Sequence, residues 1–187
     1  YDSATDAYYF TSKGGSFYCV RLEETDAGWQ FADQWGGELN NGSEATPMST
    51  SSPAVYNGRA YVGVSGSSQF GAYSGHNITV IDLKQKTIAY SVQTQGYPQT
   101  SGLITTAYEE ESGYVYVYFL DNMTPGKIRV LRDKPGQKAA DYLTREGEYN
   151  TAYALFTPVG DQAQYAICSP IVDAYGTVYF KNDSAHL

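Results

Sequence analysis

The chain has two cysteines, two histidines, two methionines and two tryptophans in 187 residues. Each scarcity removes a class of function. Cys19 and Cys168 match no spacing used for zinc, haem or redox pairs. Whether they pair with each other is open, because they would meet only if the first and last repeats came together. His76 and His186 are the only imidazoles available as a base for a serine or cysteine nucleophile. Both precede an expected third strand and read as exposed turn residues. No apolar run approaches the roughly 20 residues that span a bilayer, so membrane insertion is not expected. Positive charge is also thin, with 12 Lys+Arg against 20 Asp+Glu and a formal net charge of -8. Lys84, Lys86, Lys127, Arg129, Arg132 and Lys134 are scattered, so neither a phosphate backbone nor an anionic membrane is an expected partner.

What is abundant is tyrosine and glycine, 19 of each. Tyrosine suits half-buried pleated surfaces and glycine suits turns, which favours strands over helices. Low charge, many Ser, Thr, Gly and Tyr residues and an acidic balance read as a secreted or cell-surface bacterial protein. The sequence begins at Tyr1 without a signal peptide or initiating Met, which reads as a piece of a longer chain.

An internal repeat organises the sequence. Its clearest copy runs Ser52-Pro53-Ala54-Val55-Tyr56, turns at Asn57-Gly58, and continues Arg59-Ala60-Tyr61-Val62-Gly63-Val64. A Gly/Ser-rich loop leads to a third strand, Asn77 to Leu83, and Thr87 to Val92 supplies a fourth. The order recurs from Ser101-Gly102-Leu103-Ile104, with a turn holding Ser112-Gly113, a second strand Tyr114 to Leu120 and a third Lys127 to Leu131. It recurs again at Ser169-Pro170-Ile171-Val172, Tyr175-Gly176 and Thr177 to Phe180. Near the start, Ala7 to Phe10 and Phe17 to Val20 match a second and third strand. Tyr9, Tyr61, Tyr116 and Tyr179 fall in register, at spacings of 52, 55 and 63 residues. The uneven spacing points to loops inserted at Gly36 to Met48 and Gln137 to Tyr149, and away from a solenoid. About three and a half repeats result, at approximately 1–48, 49–98, 99–165 and 166–187.

Tyr114 to Leu120 does not alternate apolar with polar, so it needs cover on both faces. The fold class expected is therefore all-β, a β-propeller or partial propeller of four-stranded antiparallel blades. A β-sandwich is the alternative. An arc of this length is expected to be part of a longer propeller, and to offer exposed blade edges for self-association.

The segments Ser52 to Val62 and Ser169 to Phe180, with the Asp82-Leu83 ending, resemble pyrroloquinoline-quinone-type propeller repeats. The resemblance implies the propeller architecture. Enzymes of that family are quinone-dependent dehydrogenases that use a vicinal cysteine pair, calcium-binding carboxylates, a catalytic aspartate and a stacking tryptophan. This chain has no vicinal cysteines and only Trp29 and Trp35. The resemblance thus implies the fold without a catalytic residue, cofactor or metal.

The remaining candidates divide the same way. Glu109, Glu110 and Glu111 share a turn and point to solvent. Asp121-Asn122 and Asn182-Asp183 read as turn-closing Asx residues in preference to calcium ligands. The second-strand tyrosines read as blade-to-blade packing. Trp29, Trp35, Tyr97 and Tyr149 remain as loop aromatics able to stack on a ligand. The expected function is a non-catalytic binding or scaffold module for a protein, peptide or glycan. A quinoprotein-type dehydrogenase fragment and a structural spacer are the alternatives.

Overall fold

A computed structural model describes residues 1–39, 47–65, 75–140, 159–160 and 164–184, and the backbone of 153–156. The fold is all-β, with thirteen strands and one four-residue helix in chain order among these residues. Strands β1 (Tyr8–Thr11), β2 (Ser16–Thr25) and β3 (Gly28–Glu38) form a three-stranded first sheet. Strands β4 (Ala54–Tyr56), β5 (Arg59–Val64), β6 (Asn77–Asp82) and β7 (Thr87–Gln93) form a four-stranded second sheet. The third holds β8 (Leu103–Thr105), β9 (Val115–Asp121), β10 (Lys127–Asp133) and β11 (Tyr153–Phe156); the fourth pairs β12 (Ile171–Val172) with β13 (Val178–Tyr179). Every pairing is antiparallel between strands adjacent in the chain.

Turn chemistry fixes these meanders. Asn57 and Gly58 both take positive φ, 46° and 74°. An Asn-Gly pair adopts that conformation cheaply, and its twist matches the flanking strands. The β6–β7 turn is closed by Asp82, whose carboxylate accepts from the Gln85 amide at 2.9 Å. The segment expected as a plain turn at Glu109–Ser112 is helix α1 (Glu109–Ser112). Its acidic residues suit the positive end of a helix, and Gly113 terminates it in the left-handed conformation.

The sheets stack face to face in chain order. All six residues of β5 are buried. Ala60, Val62 and Val64 pack with Phe17 of the first sheet and with Leu39 just beyond β3, while Tyr61 packs with Val115, Val117 and Phe119 of the third. On the far side of β9, Leu120 joins Ile128 and Ala166, with Val178 and Phe180 against them. Each inner sheet is thus apolar on both faces because both are covered. The arrangement is that of consecutive propeller blades, and it sets the sandwich alternative aside, since a sandwich leaves one face of each sheet wet.

One expectation is corrected by a strand that carries no regular apolar pattern. Trp29, Trp35 and Gly36 lie in β3, whose burial is low along its whole length. The strand is held by its ladder to β2 and by a Glu23–Gln30 side-chain bond of 2.7 Å. Backbone pairing forms such a strand without a hydrophobic signature to announce it. β11 completes the third sheet at Tyr153–Phe156, beyond the loop expected at Gln137 to Tyr149 and where the sequence reading had placed no strand.

Candidate functional site

The four candidate aromatics have different fates. Tyr97 is 5% exposed, and Thr50 donates its amide to the phenolic oxygen at 2.6 Å. His76 stacks on the Tyr97 ring at 5.9 Å. Burial pushes the Tyr97 phenol up from its ordinary value, against the Thr50 hydrogen bonds. Tyr97 is therefore a core residue, which corrects its reading as a loop aromatic. His76, expected as an exposed turn residue, is 4% exposed. Its ring is drawn inward because the segment after β7 folds back across the second sheet, where the Thr94 amide donates to the His76 carbonyl at 2.9 Å. Tyr149 and His186 lie outside the described residues.

Trp35 lies on the inner face of the first sheet, tilted against Phe17 at 5.4 Å. Lys86 sits over its ring at 5.8 Å and pairs with Asp33 at 3.7 Å. Phe17, Trp35 and Lys86, together with Leu39, Ile81 and Ile88, line a groove of about 240 Å³ between the first and second sheets.

Trp29 is 68% exposed and belongs to a larger surface. Directly paired residues share one face of a sheet, and so do alternate residues along a strand. The pairs Tyr8–Val20, Phe10–Tyr18, Leu22–Phe31 and Glu24–Trp29 therefore lie together on the outer face of the first sheet. Exposure there is 46% for Phe10, 64% for Phe31 and 37% for Tyr18. Phe10 and Tyr18 stack at 5.1 Å, and Tyr1 lies tilted against Tyr8 at 5.0 Å. An apolar surface of this kind is a candidate binding face, because isolated exposed aromatics are ordinary but a contiguous set is not. The sequence reading found Trp29 and missed the face, since β3 itself went unrecognised.

The ionisable groups serve packing. Asp121 was expected to close a turn; it is the last residue of β9, fully buried, with the Arg129 Nε at 2.6 Å. Burial pushes its carboxyl up, opposed by Arg129. The turn reading does hold for Asn182, whose side-chain oxygen accepts from the Ser184 amide at 3.2 Å. Glu109 accepts from the Tyr56 hydroxyl at 2.6 Å, while Glu110 and Glu111 are exposed. Cys19 and Cys168 are both free thiols.

The largest polar cluster was not anticipated. Asp133 at the end of β10 accepts from Tyr61 at 2.8 Å and from Tyr90 at 2.6 Å. The Arg59 Nε lies 3.3 Å from the same carboxylate, and its Nη1 lies 3.6 Å from Asp82. Arg59 also donates to the carbonyls of Lys134 and Gln137. Burial and the Asp133 charge push both phenols well above the ordinary tyrosine range. These tyrosines stay protonated, and the cluster rivets the second sheet to the third.

No protein-family model matches the sequence, and no curated protein matches it. Among solved structures, the chain is similar to quinohemoprotein alcohol dehydrogenase from Comamonas testosteroni at 12% identity and a TM-score of 0.48. The similarity covers 94% of this chain and 30% of that one.

Proposed function

We propose that the chain is a non-catalytic binding or scaffold module of an exported bacterial surface protein, which presents the outer face of its first sheet to a protein, peptide or glycan. The observation that carries this reading is the contiguous exposed set Tyr8, Phe10, Tyr18, Trp29 and Phe31. Aromatic rings on a rigid sheet stack on sugars or apolar side chains at little cost in conformational entropy. Two buried carboxylates, Asp121 and Asp133, are each committed to an arginine and to packing between or within sheets, which supports a role other than acid–base chemistry. The acidic balance supports a partner other than nucleic acid.

The test screens the protein on glycan and peptide arrays and titrates any hit by tryptophan fluorescence. The double variant Trp29→Ala/Phe31→Ala is expected to weaken the hit by at least about tenfold, the loss of two stacked rings. Unchanged binding by the double variant, or no ligand on either array, overturns the reading.

A further inference from the structure

Strand β3 closes the first sheet on the side remote from β1, and among the described residues it pairs with β2 alone. Ten of its eleven residues are exposed, whereas β7, the last strand of the second sheet, is mostly buried or half-buried. Open edges are usually guarded by lysine, proline or a bulge. β3 has no lysine or proline, and its bulge at Ala32 leaves the stretch from Asp33 to Glu38 regular. Which groups face the open side follows from the ladder. The Leu39 amide donates to the Gly15 carbonyl at 2.8 Å, in register with the β2–β3 pairs. Hydrogen-bonded and non-hydrogen-bonded pairs alternate along an antiparallel ladder. Trp35 and Gly37 therefore turn their backbone groups toward β2, and Gln34, Gly36 and Glu38 turn theirs to the open edge.

Gly37 has no explanation inside the chain. Its φ is not positive, and a Cβ built there meets nothing within 4 Å. Glycine inside a strand is a mark of close approach by a ligand or another backbone. Gly37 pairs with Phe17, so it faces inward, onto the groove floored by Phe17, Leu39, Ile81 and Ile88. At about 240 Å³ the groove falls below the roughly 300–1,000 Å³ of sites for drug-sized molecules, and it suits a single side chain. Lys86 on its rim disfavours a cation there. Glu38, next along the strand and on the other face, is an exposed carboxylate that favours one. The β2–β3 hairpin as a whole carries Glu23, Glu24, Asp26, Asp33 and Glu38 against Arg21 alone.

We propose that the open edge of β3 at Gln34 to Glu38 is a strand-addition site for an extended segment of a partner protein in which a basic residue precedes an aliphatic one. The segment lies antiparallel to β3. Its basic residue sits across from Glu38, its aliphatic residue sits across from Gly37 and enters the groove, and the next residue exchanges both backbone bonds with Gly36. Ladder hydrogen bonds supply the affinity, and the groove and the Glu38 pair fix the register. The inference goes beyond the aromatic-face reading and uses different residues, so either can fail alone.

The test titrates the synthetic peptide acetyl-Thr-Lys-Ile-Thr-Val-Thr-amide into the isotope-labelled chain and follows amide resonances. Saturable shifts are expected at Gln34 to Glu38 and, across the groove, at Lys86 to Ile88. Only alternate amides of an added strand face its neighbour. N-methylation at the threonine after isoleucine is therefore expected to weaken binding about tenfold, the loss of about one to two hydrogen bonds, whereas N-methylation at isoleucine itself is tolerated. Both peptides act on the unaltered chain, so this comparison depends on no variant folding. Gly37→Val fills the groove from a position with room for a side chain. It is expected to keep the native melting temperature and to weaken binding at least about tenfold. Glu38→Lys is expected to weaken binding several-fold, most at low salt, and Trp29→Ala/Phe31→Ala to leave it unchanged. Absence of saturable shifts, equal binding by both methylated peptides, full binding by Gly37→Val, or shifts centred on Trp29 and Phe31 would each overturn the proposal.

Discussion

Tyr61 donates its phenolic hydrogen bond to Asp133 across 72 residues of chain, from the second strand of one sheet to the third strand of the next. Tyr90 reaches the other oxygen of the same carboxylate, and Arg59 approaches from β5. The carboxylate is fully buried, so losing it leaves the buried guanidinium with only the more distant Asp82, at 3.6 Å, as a counter-charge. Asp133→Ala is expected to cost about 3–5 kcal/mol, the range for breaking a buried pair by removing one partner. Tyr61→Phe and Tyr90→Phe are expected to cost about 1.5–3 kcal/mol each, as bonds to a charged group. The two should not add, because they share one acceptor. Urea denaturation of the single and double variants checks this; strict additivity would show that the hydroxyls act independently.

The same carboxylate makes stability depend on pH. Burial raises Asp133 from its ordinary value of 3.8, against the lowering influence of Tyr90, Arg59 and Tyr61. The folded protein then holds that proton more tightly than the unfolded chain does. Its contribution is fully present below the unfolded value and is lost as pH rises through the folded one. The stability of the native protein relative to Asp133→Asn should therefore be greatest in acid and decline on going from about pH 4 toward pH 7. Thermal melts across that window measure the gap. A gap that widens with pH would mean that the pairing groups outweigh burial.

The sequence revealed what is written locally. Asn57-Gly58 announces a hairpin, and the apolar runs around it place β4 to β7 within a residue or two of where they lie. The continuous apolar character of β9 also foretold cover on both faces. Two other features are not local. β3 is exposed at nearly every position and mixes three glycines and four polar residues with its aromatics, so its evidence is the ladder to β2 and not its own composition. The Asp133 cluster joins residues 43 and 72 positions apart, and nothing near Asp133 distinguishes it from a turn carboxylate. Trp29 was legible as a surface aromatic, but its partners Phe31, Tyr18 and Phe10 become one face only once the register of three strands is known.

Gly63 tests how closely successive repeats approach. A Cβ built there would lie 1.5 Å from the Pro98 carbonyl oxygen, and the obstacle is backbone that no side-chain rotation can clear. Gly63→Ala is expected to destabilise by about 3 kcal/mol or more through overpacking. Gly58→Ala offers the contrast, since a Cβ there meets nothing and only the positive φ of 74° is strained. It should cost about 1–2 kcal/mol. Equal losses in chemical denaturation would show that the linker carrying Pro98 can move aside.

The cysteines should differ in reactivity. Cys19 is buried at 6% exposure, and burial raises its thiol from the ordinary value. Cys168 is partly exposed, with its thiol bonded to the Lys181 carbonyl at 3.0 Å. Thiol labelling of the native protein is expected to modify Cys168 first, with Cys19 following only as the fold opens. Mass spectrometry of labelled peptides over time gives the order, and simultaneous labelling would contradict the burial of the first sheet's inner face.

The two tryptophans sit on opposite faces of one strand, and that geometry can be read in solution. Trp29 pairs with Glu24 on the outer face, and Trp35 pairs with Cys19 on the inner one. Residues an even number apart in a regular strand share a face, so 29 and 35 would lie together without an interruption. The register shift between Arg21 and Leu22 supplies it: Arg21 pairs Asp33, Leu22 pairs Phe31, and Ala32 is the extra residue of a bulge. The bulge sends Trp29 to solvent and keeps Trp35 against Phe17. Acrylamide should therefore quench the Trp35→Phe variant, which retains Trp29, several-fold more strongly than the Trp29→Phe variant. Deleting Ala32 should remove the bulge and leave the two tryptophans five positions apart, which regular alternation again places on opposite faces, with Trp29 still across from Glu24. Quenching of Trp29 in the deletion variant is therefore expected to stay close to that of its parent. Quenching that falls toward that of Trp35 would mean that β3 slips by one residue on β2, and that the aromatic surface of the first sheet does not rest on this register.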